Sequence, residues 1–469
     1  MPQAAERMSR VDTAWLRMDN DVNLMTIVGV WLIQPHIGYE ALCERVSDKL
    51  LKYGRFRQKV VEDAMGASWV DDPDFDIHHH VRLEKLVRQP GQSEREALQV
   101  RVGELSTTPL DRTRPLWQFQ LVDHYEGGSA IIARAHHCIA DGIALISVML
   151  SITDGGAEPP RKKHREAGAE EADWLTDVVM KPLVDVAVKA AAVSSRGVAK
   201  SMQVLSHPQQ GSLDMARVGY QVVSDAAAML LMPDDSPTRL KGRPIGAKRV
   251  AWGEPLPLDQ VKAIGKALGC SINDVLLACV AGAIGGYLRA LGDDTTGKEI
   301  RAMVPVNLRP LEKAYKLGNQ FGLVPLVLPI GIVNPVERVY AVRARMAELK
   351  GSYQPLLAFA VLAVAGLLIK PMQDALLNLF AKKATAVMTN VPGPAVPLKL
   401  CGSTLRQTMF WVPQSGDIGV GVSILSYGGG VQFGLITDAQ MCPDPQKVID
   451  LFEPEFEKLL MVTLMLPWE

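Results

Sequence analysis

Two periodicities alternate along the chain. Leu24 to Ile33 and Ile131 to Ala135 are apolar runs of strand length, whereas Glu40 to Tyr53 spaces its apolar positions as a helix does. The region from Val11 to about Ile152 mixes the two, so residues 1–152 read as one α/β unit. A composition break follows at Thr153 to Asp173, TDGGAEPPRKKHREAGAEEAD, which has no period able to bury a face. It reads as an exposed linker. Helical spacing returns from Trp174 to about Met232, with Leu175, Val178, Val179, Leu183 and Val186 three and four apart, so 153–247 is expected to be linker plus helical connector. Alternation resumes in 248–469: a helix at Asn273 to Leu291 and strands near Arg301 to Val306, Leu323 to Leu328 and Ala384 to Met388. A last strand pair, Gly419 to Leu425 and Val431 to Ile436, is reversed by Tyr427-Gly428-Gly429-Gly430, where glycine accepts positive φ. No solenoid-type repeat is visible.

The densest chemistry lies in the first unit. Trp117 to Val122 and Ala130 to Ala135 predict two strands joined by the polar turn Asp123 to Ser129. His136-His137-Cys138-Ile139-Ala140-Asp141-Gly142 leaves the second strand, and Ile143 to Leu150 suits a helix beginning just after the aspartate. Successive strand side chains point to opposite faces, so only one of His136 and His137 can face a given cavity. The positive end of the helix macrodipole is expected to favour a neutral imidazole, the form a general base requires. Two histidines at a strand end with a capping aspartate would be unremarkable separately. The complete spacing is far less common than its parts and points to function.

Other features carry weaker signals. Ser271-Ile272-Asn273-Asp274 has the form of a capping box, and Asn273 could also position substrate or donate to an oxyanion. Pro115-Leu116-Trp117 reads chiefly as packing beneath the site. His78-His79-His80 reads as a polar segment near the fold's edge, because neighbours in a strand diverge and no spaced ligand completes a metal site; no metal is expected. Thr389-Asn390-Val391-Pro392-Gly393-Pro394 reads as a turn fixed by proline and glycine. Cys138 reads as a small packed residue.

Composition limits the partners. With 50 basic and 51 acidic residues the net charge is -1, which supplies no field for gathering phosphate backbones and argues against nucleic acid. At 469 residues, 48% apolar and 22% charged, the chain is long enough for two cores and greasy enough for contact with lipid. Six scattered cysteines predict reduced thiols, and the charged stretch Met1 to Asn20 lacks the apolar run of a signal peptide; a cytoplasmic location is expected. The fifteen uncharged residues Pro355 to Ile369 fall short of the roughly 20 a membrane span needs. They read first as a buried helix and second as a helix resting in a lipid interface.

The motif His136 to Gly142 resembles the active-site motif of the superfamily that includes chloramphenicol acetyltransferase, carnitine acyltransferases and nonribosomal peptide condensation domains. Together with Pro115-Leu116-Trp117, Asn273-Asp274-Val275-Leu276-Leu277-Ala278 and Gly318-Asn319-Gln320-Phe321-Gly322, it resembles the bacterial wax ester synthase/acyl-CoA:diacylglycerol acyltransferase family over nearly the whole chain. The resemblance implies an α/β fold of two chloramphenicol acetyltransferase-like domains, each a mixed sheet flanked by helices, with the site between them and fed by a tunnel. It implies His137 as general base, beside His136 and Gly142, and Asp141 as a structural residue held by an arginine, for which Arg309 is the candidate. It implies acyl-CoA as donor and a fatty alcohol or diacylglycerol as acceptor, no cofactor, and peripheral attachment to the inner membrane or lipid bodies. A carrier-dependent condensation enzyme and an inactive lipid-body protein are the alternatives, and the sequence gives no oligomeric state.

Overall fold

A computed structural model describes residues 5–63, 66–156, 224–225, 228–229, 231–308, 317–350, 352–368 and 370–465. The first half runs β1 (Glu6–Arg7), α1 (Arg10–Arg17), β2 (Thr26–Gln34), α2 (Tyr39–Lys49), β3 (Gln58–Asp63), β4 (Gly66–Asp71), α3 (Ile77–His80), β5 (Val81–Glu84), α4 (Glu94–Ser106), β6 (Trp117–Tyr125), β7 (Gly128–His136) and α5 (Gly142–Ser151). The second runs β8 (Lys248–Trp252), β9 (Leu256–Pro257), α6 (Leu258–Ala267), α7 (Ile272–Ala290), β10 (Ile300–Asn307), β11 (Phe321–Leu328), α8 (Pro335–Lys350), α9 (Gln354–Ala365) and α10 (Lys370–Ala381). It ends with β12 (Ala386–Pro392), β13 (Lys399–Leu400), β14 (Ser403–Trp411), β15 (Val420–Tyr427), β16 (Gly430–Asp438) and α11 (Gln446–Met465).

Two large sheets organise these elements. One has the order β13-β14-β2-β7-β6-β5, the other β11-β10-β12-β15-β16-β8 with β9 beside β16. In the first, β2 turns Ile27, Trp31 and Ile33 to one core and Val28, Val30 and Leu32 to another, which explains its unbroken apolar run. Helix α4 covers that second face and also meets the other half: a Cβ on Gly103 would lie 2.7 Å from the Lys248 carbonyl oxygen of β8. The second half in turn supplies β13 and β14 to the first sheet, with β14 antiparallel to β2 from Thr404 opposite Gln34 to Trp411 opposite Val28.

Several expectations change in detail. Most of the 174–232 connector and most of the linker lie outside the described residues. Thr153 and Asp154, read as the start of an exposed linker, are instead docked: Thr153 is buried, and Asp154 accepts from Arg45 and from the main-chain N–H groups of Cys401 and Gly402. The turn between β6 and β7 is shorter than drawn, because Glu126 and Gly127 alone take positive φ (47° and 74°) and the strands run up to them. His78 to His80 form a helical turn with His80 inside, its ring stacked 4.5 Å from Trp117. Thr389 to Pro392 belong to strand β12, whose parallel pairing with β15 continues to Pro392 opposite Ser426.

Helix α7 is long and apolar enough to cross a membrane, but it packs among α6, α8 and α11 in the second core, starting from the Ser271–Asp274 capping box. The apolar run from Pro355 becomes α9, which buries Leu357, Ala358, Ala360, Leu362 and Ala365 between α1 and β11. Two glycines allow this approach: a Cβ on Gly322 would lie 1.8 Å from the Pro355 carbonyl oxygen, and one on Gly366 1.9 Å from that of Arg10.

Candidate active site

Strand β7 delivers both histidines to its end. The His136 N–H donates to the Leu116 carbonyl (2.9 Å) and that of His137 to Met25 (2.7 Å), so strands on either side fix the backbone there. The chain then turns, and Asp141 caps α5 by accepting from the Ala144 N–H at 2.9 Å. Its other carboxylate oxygen accepts from the Gln320 N–H (3.1 Å), while Ala140 forms a bridge with Gly318. Asp141 thus ties the histidine turn to the segment preceding β11. Arg309, the candidate partner of Asp141, lies outside the described residues.

The two imidazoles part company. His136 accepts the Cys138 N–H on Nδ1 (3.1 Å), leaving its proton on Nε2, 3.3 Å from Asp19. Burial raises the Asp19 pKa, but His136, the Met25 N–H and Arg112 outweigh it and hold the carboxyl below its ordinary value. His137 instead lies flat against Trp15, ring centroids 4.1 Å apart and 14° from parallel, with Phe321 tilted across it at 5.5 Å. Burial pushes its pKa down to about 3, opposed by its own carbonyl and by Asn319. Desolvation is thus the largest cause that keeps this imidazole neutral.

Beneath His137 sits a pair of residues that sequence reading did not single out for this role. The Asn319 side-chain amide donates to the His137 carbonyl and to Asp12, each at 2.7 Å, and the Asn319 main-chain N–H also donates to Asp12 (3.1 Å). Burial raises the pKa of Asp12, and these Asn319 bonds oppose it. Asn319 and Phe321 were visible only as part of a motif; Asp12 and Trp15 gave no signal, being ordinary positions on the buried face of α1.

His137, Asp141 and Gly142 border an apolar cavity of about 140 Å³. Its walls come from α1, β10, β11, α9, α10, β12 and the end of β14, with Thr389, Asn390 and Ser415 among the few polar side chains. β10 and β12 pair only at Ala302–Ala386 and Met303–Val387 and then diverge, and beyond that point both line the cavity, β10 through Pro305 and β12 through Asn390. Phe410 and Gly142 also border a second apolar cavity of about 80 Å³. Asn273 is outside the cavity wall but accepts from the Asn390 amide (2.9 Å), whereas Asp274 is occupied with its cap. Leu116 and Trp117 are buried; Trp117 donates to the Phe56 carbonyl at 2.9 Å, and with Pro115 they support the strand end rather than the cavity.

Residues 8–276 match the model of the wax ester synthase/diacylglycerol acyltransferase catalytic domain, and 317–460 that of the WS/DGAT C-terminal domain. A probable diacylglycerol O-acyltransferase of Mycobacterium tuberculosis is 25% identical over 468 residues, 97% of this chain and 96% of that protein. A putative one from Mycobacterium bovis is 28% identical over 410 residues, 84% of this chain and 83% of that protein. Among solved structures, the wax ester synthase/diacylglycerol acyltransferase of Marinobacter aquaeolei VT8 shares the fold with TM-score 0.66 at 21% identity, covering 98% of this chain and 100% of that one. The first condensation domain of the CDA synthetase does so at 0.57 and 15%, covering 99% and 97%. The two-sheet α/β architecture is the one these folds share, and the chain is an acyltransferase belonging to the wax ester synthase/diacylglycerol acyltransferase family.

Proposed function

We propose that this acyltransferase moves a fatty acyl group from acyl-CoA to the hydroxyl of a hydrophobic alcohol, diacylglycerol or a long-chain alcohol, with His137 as general base. One observation carries the reading: a buried, neutral imidazole, held between Trp15 and Phe321, forms part of the wall of an apolar cavity. Nδ1 is buried in the protein, which leaves Nε2 to accept the hydroxyl proton as the alcohol oxygen bonds to the thioester carbon. When the carbon–sulfur bond breaks, the same nitrogen returns the proton to the thiolate. A thioester is already activated, so no acyl-enzyme and no cofactor enter this scheme. Asn390, oriented by Asn273, is the amide best placed to meet the substrate's polar end. The names of the mycobacterial relatives favour diacylglycerol as acceptor; the Marinobacter name keeps fatty alcohols beside it. Attachment to a membrane or lipid-body surface is part of this proposal, with exposed Leu367 and Met372, at the junction of α9 and α10, as the apolar side chains that would meet lipid.

The test is thiol release from palmitoyl-CoA with hexadecanol or diacylglycerol. The His137→Ala variant should lose roughly 10² to 10⁴ in rate while keeping its circular dichroism, since a positioned base contributes about that much. Activity unchanged in that variant would end the assignment, and absence of thiol release with every acceptor would favour a lipid-binding role.

A further inference from the structure

At the far end of β7 from His137, three side chains from the ends of β2 and β6 converge. His36 follows β2, while Asp123 and His124 sit in the irregular end of β6, where the register with β7 shifts between Val122 and Tyr125. Nε2 of His36 contacts one carboxylate oxygen of Asp123, and Nε2 of His124 lies 3.6 Å from the other. The two imidazoles stack with centroids 5.3 Å apart and planes 28° apart. Their three ligand atoms all lie within 4.8 Å of one another, the one such His/Cys/Asp/Glu group among the described residues.

The backbones beneath are held together independently of these side chains. The Ser129 hydroxyl donates to the Asp123 carbonyl (3.0 Å) and accepts from the Ile37 N–H (3.2 Å), clamping these two ends together. Two histidines and a carboxylate form a donor set suited to borderline divalent metals, and zinc–ligand bonds near 2.0–2.2 Å place tetrahedral donors about 3.4 Å apart. The Asp123–His124 separation is already close to that, and His124 is exposed enough to rotate the remaining distance.

We propose that His36, Asp123 and His124 bind one borderline divalent transition metal ion, represented by Zn²⁺, with water completing the coordination. The ion would link the exit of β2 to the β6–β7 hairpin, the two strands that flank β7. Nine residues of strand at about 3.3 Å each put it roughly 25–30 Å from His137, so it acts on stability rather than on acyl transfer. The sequence hides this site because His36 and Asp123 are 87 positions apart. His79 and Asp76, 3.0 Å apart, form only a pair and serve as the control.

The experiment is calorimetric titration of the intact, chelator-treated chain with zinc chloride, alongside thermal melting with and without the ion. The wild type should bind one equivalent and melt higher with Zn²⁺. His36→Ala and His124→Ala, both on the surface, should each weaken binding by about tenfold or more and abolish the thermal shift, while His79→Ala changes neither. No saturable binding, or binding that survives both His36→Ala and His124→Ala, overturns the proposal.

Discussion

His137 keeps a neutral ring because its surroundings are dry, and the sign of that effect can be followed into the rate. An ordinary histidine base switches off as pH falls through about 6.5. Lowering the folded-state pKa to about 3 moves this limb to more acid pH. With His137 as the proposed base, kcat/KM should therefore be flat between pH 5 and 7.5; an acid limb with its midpoint between 6 and 7 would show that water reaches the ring. Asn319 supplies a second prediction at this scale. Removing its amide in Asn319→Ala frees the His137 carbonyl and takes the side-chain bond from Asp12, which keeps only the main-chain one. Misplacement of a base by about 1 Å can cost 10²-fold, so kcat should fall by about that factor with KM little changed. Equal activity in that variant would make the amide a bystander. Residues 136–142 were legible in the sequence because their spacing is contiguous, whereas the Asp12–Asn319 contact joins positions 307 apart and no periodicity announces it.

Elements were more legible than their neighbours. β2, α2, β10, β11, α7 and the β15–β16 hairpin appear close to where hydrophobic period and glycines put them, because each owes its existence to a local pattern. The end of β12 is hidden from sequence, since its proline and glycine suggest a turn and only the neighbouring β15 shows that pairing continues to Pro392. The burial of α9 was readable from composition, but not its closeness to β11, which depends on one missing Cβ. Gly322→Ala should force α9 away from β11 and Phe321, at a cost of about 1–3 kcal/mol of the kind overpacking brings. A lowered thermal midpoint together with slower turnover is the expected result; a variant that melts like the wild type would show that the helix yields freely.

At the scale of the whole molecule, the halves are interleaved rather than merely adjacent. β14, from the second half, completes the first sheet against β2, while α4, from the first, lies against β8 of the second. Unfolding the second half would strip β14 from the first sheet, and unfolding the first would take α4 from β8, so calorimetry should show one main transition; two well-separated ones would mean that these exchanged contacts contribute little. Sequence reading gave two α/β units but not this exchange, because strand partners far apart in the chain leave no mark in local hydrophobic period. The divergence of β10 from β12 has a further meaning. Main-chain groups along a strand point alternately to either side, and where a neighbour departs, half of them turn toward the gap. The dipoles so presented belong to the peptide bond itself. An apolar chain lying in this cleft would therefore meet a polarity that substitution of side chains cannot erase.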